Sequence, residues 1–183
     1  MLGFERNADV VTASSYAPLL NKIDGTQWSC DLINFNATHL FAHPSYYAQT
    51  MLSSSRRGTT LRAEQSGGHT SWAAVASATP KSGGRGSVNH EALDDITVKV
   101  ANYDANALPV TVAVAGRTPS HISATVLTSD SPDAVNSLDA PEAVVPVELV
   151  VEWDGKASTF VVPMPAWSVA VVLVTFAKSS EKI

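Results

Sequence analysis

From residue 96 to residue 176 apolar residues recur at alternate positions, run after run. Ile96, Val98 and Val100 alternate with Thr97, Lys99 and Ala101. Val110, Val112 and Val114 form the next set, and Ile122, Ala124 and Val126 the one after. A period of two sends successive side chains to opposite faces of a sheet, so each run reads as a half-buried strand. Val147 to Trp153, Asp154-Gly155 and Ser158 to Val162 read together as a hairpin, because Asp-Gly favours a tight reverse turn. Ala170 to Phe176 is a strongly apolar closing strand, and Trp72 to Ser77 an opening one. No helical period intervenes, which predicts an antiparallel β-sandwich.

Composition narrows the function classes. Hydrophobic residues make up 45% and charged residues 16% of 183, a globular balance. There are 12 basic against 17 acidic residues, the reverse of what phosphate contacts require, so no nucleic-acid partner is expected. The longest apolar run, Val169 to Val174, is of strand length, far short of the roughly 20 residues that span a bilayer, so no membrane partner is expected either. A lone Cys30 excludes an internal disulfide framework and a multi-cysteine zinc site. His39, His43, His69, His90 and His121 are scattered and no pair has metal-ligand spacing with a nearby cysteine, so no metal and no cofactor are expected.

The first 55 residues differ in character. Leu2, Phe4 and Glu5 read as the late turns of a helix, with Asn7 able to cap its end. So short a helix needs support, either from residues before Met1 or from elsewhere in the fold. The opening has no basic and then apolar segment of the signal-peptide kind. Val10 and Val11 lead into Ala17-Pro18-Leu19-Leu20, a buried-strand pattern that Pro18 brings to its end. Asp24-Gly25 marks a turn, and Leu32-Ile33-Asn34-Phe35 is a second short apolar run. Pro44 precedes Tyr46, Tyr47, Met51 and Leu52, whose spacing predicts an amphipathic helix with proline at its start. Ser53 to Gly58 is the seam, giving a domain at 1–55 and another at 56–183. Pro80 to Ser87 is a Gly-rich loop, expected to be mobile, and Lys178 to Ile183 a frayed end.

Four segments in order carry a resemblance. They are Gly3-Phe4-Glu5-Arg6-Asn7-Ala8-Asp9-Val10-Val11, Ser15-Tyr16-Ala17-Pro18-Leu19-Leu20, Gly25-Thr26-Gln27-Trp28 followed by Asp31-Leu32-Ile33, and Pro44-Ser45-Tyr46-Tyr47. With Val162-Pro163-Met164-Pro165-Ala166-Trp167-Ser168-Val169-Ala170 further on, the chain resembles the C-terminal part of α-L-arabinofuranosidases of glycoside hydrolase family 51, fungal members above all. The resemblance implies a mostly β chain: an antiparallel β-sandwich preceded by the last strand and helix of a (β/α)8 barrel. It places the end of the seventh barrel helix at Glu5 to Asp9, the eighth strand at Val10 to Leu20, and the eighth helix at Tyr46 to Ser53. It further implies an extracellular, retaining hydrolase that removes terminal arabinofuranosyl groups from arabinose-containing polysaccharides or oligosaccharides. Retention uses two carboxyl groups about 5–5.5 Å apart. In the family both are glutamates, on barrel strands that lie upstream of Met1 here, so no catalytic residue is expected in this chain and it should be inactive alone.

Barrel enzymes place their chemistry at the C-terminal ends of the strands, which would turn the loop after Leu20 toward substrate. Trp28 would offer an aromatic face to a sugar, or else plug the barrel mouth. Gln27 both donates and accepts, as sugar hydroxyls require, though a plain loop glutamine reads the same way. Asp31 would support the site from behind or cap the following turn. Cys30 stands where the family is expected to have proline, with no histidine beside it to activate a thiol. Glu5 reads as a structural ion pair, with Arg6 or with a barrel residue. Asn36-Ala37-Thr38 is an N-glycosylation acceptor pattern. The alternative reading is a non-catalytic sandwich that binds carbohydrate or scaffolds a partner, which exposed faces of Trp72, Trp153 and Trp167 would support.

Overall fold

The computed structural model describes residues 1–25, 28, 31–67, 71–80 and 93–177. The Gly-rich segment 81–92 and the terminal 178–183 lie outside them, as do Gln27, Cys30, His69 and His90. In chain order the elements are α1 (Leu2–Arg6), β1 (Leu20–Lys22), β2 (Ile33–Phe35), β3 (Leu40–Ala42), α2 (Pro44–Ser54), β4 (Thr59–Leu61), β5 (Trp72–Pro80), β6 (Leu93–Asn102), β7 (Leu108–Ala113), β8 (His121–Leu127), β9 (Val147–Glu148), β10 (Thr159–Met164) and β11 (Ser168–Thr175).

A six-stranded antiparallel sheet in the order β4-β5-β6-β11-β8-β9 faces the two-stranded sheet β10-β7. The alternation read from sequence sets the register. Val100 lies opposite Ala170, and Val172 opposite both Val98 and Ala124. Their side chains meet Val110, Phe160, Val162 and Met164 of the small sheet in one core. This is the expected sandwich, with unequal layers.

The outer face of the large sheet is covered as well. Leu2 of α1 and Leu52 of α2 pack against Val75 of β5. Met51 packs against Leu127 of β8 and Val144. The central strands are therefore enclosed on both sides, and Thr97 and Lys99 are buried with the valines between which they alternate. Reading β6 as half-buried is corrected accordingly.

Each helix has a local reason. Pro44 at the first turn of α2 lacks only an N–H that would have no partner within the helix, and its ring presets the backbone. Ser54 Oγ donates to the Thr50 carbonyl at 2.6 Å and Ser55 Oγ to the Met51 carbonyl, a tight way to end the helix. Asn7 is the C-cap residue of α1, and its Nδ2 donates to the Gly3 carbonyl at 2.7 Å. With five residues α1 depends on its docking: Arg6 donates to the Ala74 carbonyl at 2.6 Å and Thr60 Oγ1 to that of Glu5 at 2.9 Å. The sandwich thus supports the helix.

Two further expectations are corrected. The eighth strand, expected over Val10 to Leu20, is not formed there. Residues 11–19 have no strand structure, and β1 begins only at Leu20. Pro18 carries no N–H to pair, and β1 finds β2 as its neighbour over only three positions. The strand expected from Val147 to Trp153 also breaks. Val147 and Glu148 pair with β8 in the large sheet, whereas Glu152 bridges Val161 of the small sheet. The segment crosses between layers, so only the Asp154-Gly155 end behaves as the predicted hairpin, with Gly155 at φ +81°.

Candidate functional site

The N-terminal sheet has the order β1-β2-β3, with β1 and β2 parallel and β3 antiparallel to β2. The ten residues joining β1 to β2 include the Ile23–Gly25 turn, where Asp24-Gly25 predicts one. The burial of this sheet is inverted. Leu20 is 63% exposed and Leu40 72%, while Asn21 and Asn34 are buried. The two asparagines are register partners, and Asn21 Nδ2 donates to Asn34 Oδ1 at 2.5 Å. Asn21 Oδ1, Asn34 Nδ2 and Asp31 Oδ2 are buried without a hydrogen-bond partner among the described residues. Enclosed polar atoms in that state are costly, and they concentrate where a structure is completed by something else or does work.

Asp31 is 2% exposed and its charge acts on His43, the N-cap residue of α2. The His43 N–H donates to the Leu32 carbonyl at 2.9 Å, and the ring stands edge-on to Phe41 at 5.6 Å. Burial pushes the His43 pKa below its ordinary value, and the opposing attraction of Asp31 only partly offsets it. The folded chain thus resists a proton that the unfolded chain accepts. Stability from this group is complete above the ordinary value of 6.5 and is lost as pH falls through the lower folded value. Urea unfolding of the wild type and His43→Gln at about pH 8 and about pH 5 should show a shallower pH dependence in the variant.

Of the residues predicted to meet substrate, Trp28 and Asp31 are described. Trp28 is 62% exposed in this chain. Gln27 lies outside the described residues. Asp31 is enclosed, unlike Trp28 in the same connection. Asn36 stands at the β2–β3 turn, where its Oδ1 accepts from the Thr38 N–H at 2.9 Å, the His39 N–H at 2.8 Å and Thr38 Oγ1 at 3.2 Å. Glu5 does form a structural ion pair, but with Lys99 of the sandwich, at 2.5 Å, and not with Arg6. Trp72 and Trp153 are half-buried against the core, and Trp153 Nε1 donates to the Ala157 carbonyl. Trp167 is half-buried at φ +43°. The described residues contain no group of three or more His, Cys, Asp or Glu able to hold a metal ion, and no helix among them is long and apolar enough to cross a membrane.

Asn21, Asn34, His43 and Lys99 were not singled out from sequence for a role. Asn34 carries a usable signal, a lone amide inside the apolar run Leu32-Ile33-Asn34-Phe35, whereas Asn21 is followed by Lys22 and carries none. Lys99 carries none, because lysine at an alternate strand position reads as solvent-facing.

Residues 1–182 match the family described as the alpha-L-arabinofuranosidase C-terminal domain. The chain is 36% identical over 177 residues to alpha-L-arabinofuranosidase A of Aspergillus niger, covering 94% of this chain and 25% of that protein. It is 34% identical over 173 residues to alpha-L-arabinofuranosidase 1 of Arabidopsis thaliana, covering 92% and 24%. Among solved structures, an arabinose-bound family 51 α-L-arabinofuranosidase superposes with a TM-score of 0.79 at 28% identity, over 96% of this chain and 26% of that one. The chain thus spans about a quarter of the length of these relatives. It belongs to the C-terminal domain family of the glycoside hydrolase family 51 α-L-arabinofuranosidases.

Proposed function

We propose that the chain serves as the closing part of a retaining α-L-arabinofuranosidase, which removes terminal non-reducing α-L-arabinofuranosyl groups from arabinan or arabinoxylan. Residues 1–55 complete a (β/α)8 barrel and residues 56–183 are the sandwich behind it. The observation that carries this reading is the inverted β1–β2–β3 sheet followed by α2. A sheet that buries Asn21 and Asn34 while exposing Leu20 and Leu40 is unfinished, and its apolar side calls for further strands or helices. In this reading Trp28 and Gln27 meet the sugar and Asp31 holds the connection from behind. The enzyme works outside the cell, where Asn36 would accept a glycan.

The chemistry has to come from elsewhere in such an enzyme. Retention requires an acid/base carboxyl and a nucleophilic carboxylate. The first 55 residues hold a single glutamate, Glu5, and Lys99 engages it. The purified chain should therefore leave a nitrophenyl α-L-arabinofuranoside intact at any pH where it is folded. Steady turnover that survives repurification would overturn the proposal. Trp72, Trp153 and Trp167 present no exposed aromatic platform, so nothing favours the alternative of a free-standing carbohydrate-binding sandwich built on them.

A further inference from the structure

The outer face of the large sheet is covered by α1 and α2 only in part. Where α2 ends, a cavity of about 260 Å³ opens onto the sheet. Ser54, Ser55 and Arg57 line it from the helix end, and Thr97, Ser123 and Thr125 from β6 and β8. Val171 and Leu173 of β11 form an apolar floor.

The cavity holds unspent hydrogen-bonding groups. Thr97 is 1% exposed, and its Oγ1 has no partner among the described residues. Arg57 Nε is in the same condition. Behind the lining, Arg57 Nη2 reaches Asp95 Oδ2 at 3.3 Å. Ser54 and Ser55 donate their hydroxyl protons to helix carbonyls, which leaves their oxygens able to accept. Donors and acceptors are thus both on offer, and unsatisfied buried groups favour a ligand that matches them.

Charge decides between ligand classes. The Asp95 carboxylate neutralises the Arg57 guanidinium, so the cavity has no spare cation for a phosphate or carboxylate. Six polar side chains around a small floor suit no purely apolar ligand. A ring carrying neighbouring hydroxyls above one C–H face meets both requirements. The volume lies just under the roughly 300 Å³ at which pockets for drug-sized molecules begin, which fits one sugar ring and not a chain of them.

We propose that this cavity binds a single neutral monosaccharide unit, through the Thr97 and Ser123 hydroxyls and the Arg57 guanidinium that Asp95 holds from behind. The site is separate from the β1–β2 connection that carries Trp28, and it does not depend on the hydrolase reading above. The test is titration of the purified chain with L-arabinose, D-xylose and inorganic phosphate, each followed by amide chemical shifts. Thr97→Val keeps the side-chain shape and removes the hydroxyl. Ser123→Ala removes a second hydroxyl at an exposed position, and thermal melts check that both variants fold. Saturable shifts in β6, β8 and β11 are expected with a pentose, with affinity at least about fivefold weaker in Thr97→Val and no saturation with phosphate. Absence of saturable shifts with either pentose would overturn the proposal. So would equal affinity in the wild type and both variants, or saturation by phosphate alone.

Discussion

Glu5→Leu should destabilise the chain by about 3–5 kcal/mol, the loss expected when one partner of a buried ion pair is removed. Lys99 is fully enclosed, and its ammonium has two acceptors: Glu5 Oε2 at 2.5 Å and the Leu52 carbonyl at 2.8 Å. Leu52 lies in the last turn of α2, where carbonyls have no partner within the helix and a cation is favoured. One side chain of β6 thus holds α1 and α2 to the sheet. Without the Glu5 carboxylate a buried charge faces a single neutral acceptor. Lys99→Met should cost less, because the Glu5 side chain retains 11% exposure through which water can reach it. The double variant Glu5→Leu/Lys99→Met should recover to within about 1 kcal/mol of the wild type, since apolar packing can replace a buried pair. Urea unfolding of the four proteins closes the cycle. Losses below about 1 kcal/mol in Glu5→Leu would show that α1 is peripheral.

Asn136→Ala should cost about 3 kcal/mol, because it strands several buried backbone groups at once. Asn136 Oδ1 accepts from the Val144 N–H at 2.7 Å, and Nδ2 donates to the Ala42 carbonyl at 2.8 Å and the Val144 carbonyl at 3.0 Å. The residue clips the β8–β9 connection to itself and to β3. Through it the N-terminal sheet and the sandwich share a buried polar joint. Asn136→Asp should not rescue, since it puts an oxygen where two carbonyls require a donor. Thermal unfolding, with hydrogen exchange at the Val144 amide, checks both variants. A variant amide as protected as in the wild type would contradict the assignment.

The large sheet was legible because its information is local. In β6 and β8 aliphatic residues alternate with others, and placing them on one face sets the register against β11, which is aliphatic from Val169 through Val174. The proline start of α2 was legible for the same reason. What escaped depends on contacts distant in sequence. Lys99 follows the same alternation as Thr97, and only the docking of α1 and α2 turns that face inward. The segment from Val147 to Trp153 is uniformly strand-like, yet Leu149 donates to Ala124 of one layer while Glu152 pairs with Val161 of the other. Nothing in its composition marks where it changes sheets. Trp28 and Asp31 are candidates through the motif that contains them, whereas the Asn21–Asn34 pair shows only in the parallel register of β1 and β2.

In the proposed function this chain closes an arabinofuranosidase whose catalytic carboxylates lie in a preceding barrel. The most direct measurement joins the residues that precede the matched region in the Aspergillus niger relative to this chain, and follows hydrolysis of a nitrophenyl α-L-arabinofuranoside. The chimera should turn the substrate over, while this chain alone and the relative's segment alone should not. A chimera that melts cooperatively as a monodisperse protein yet releases no nitrophenol would contradict the claim.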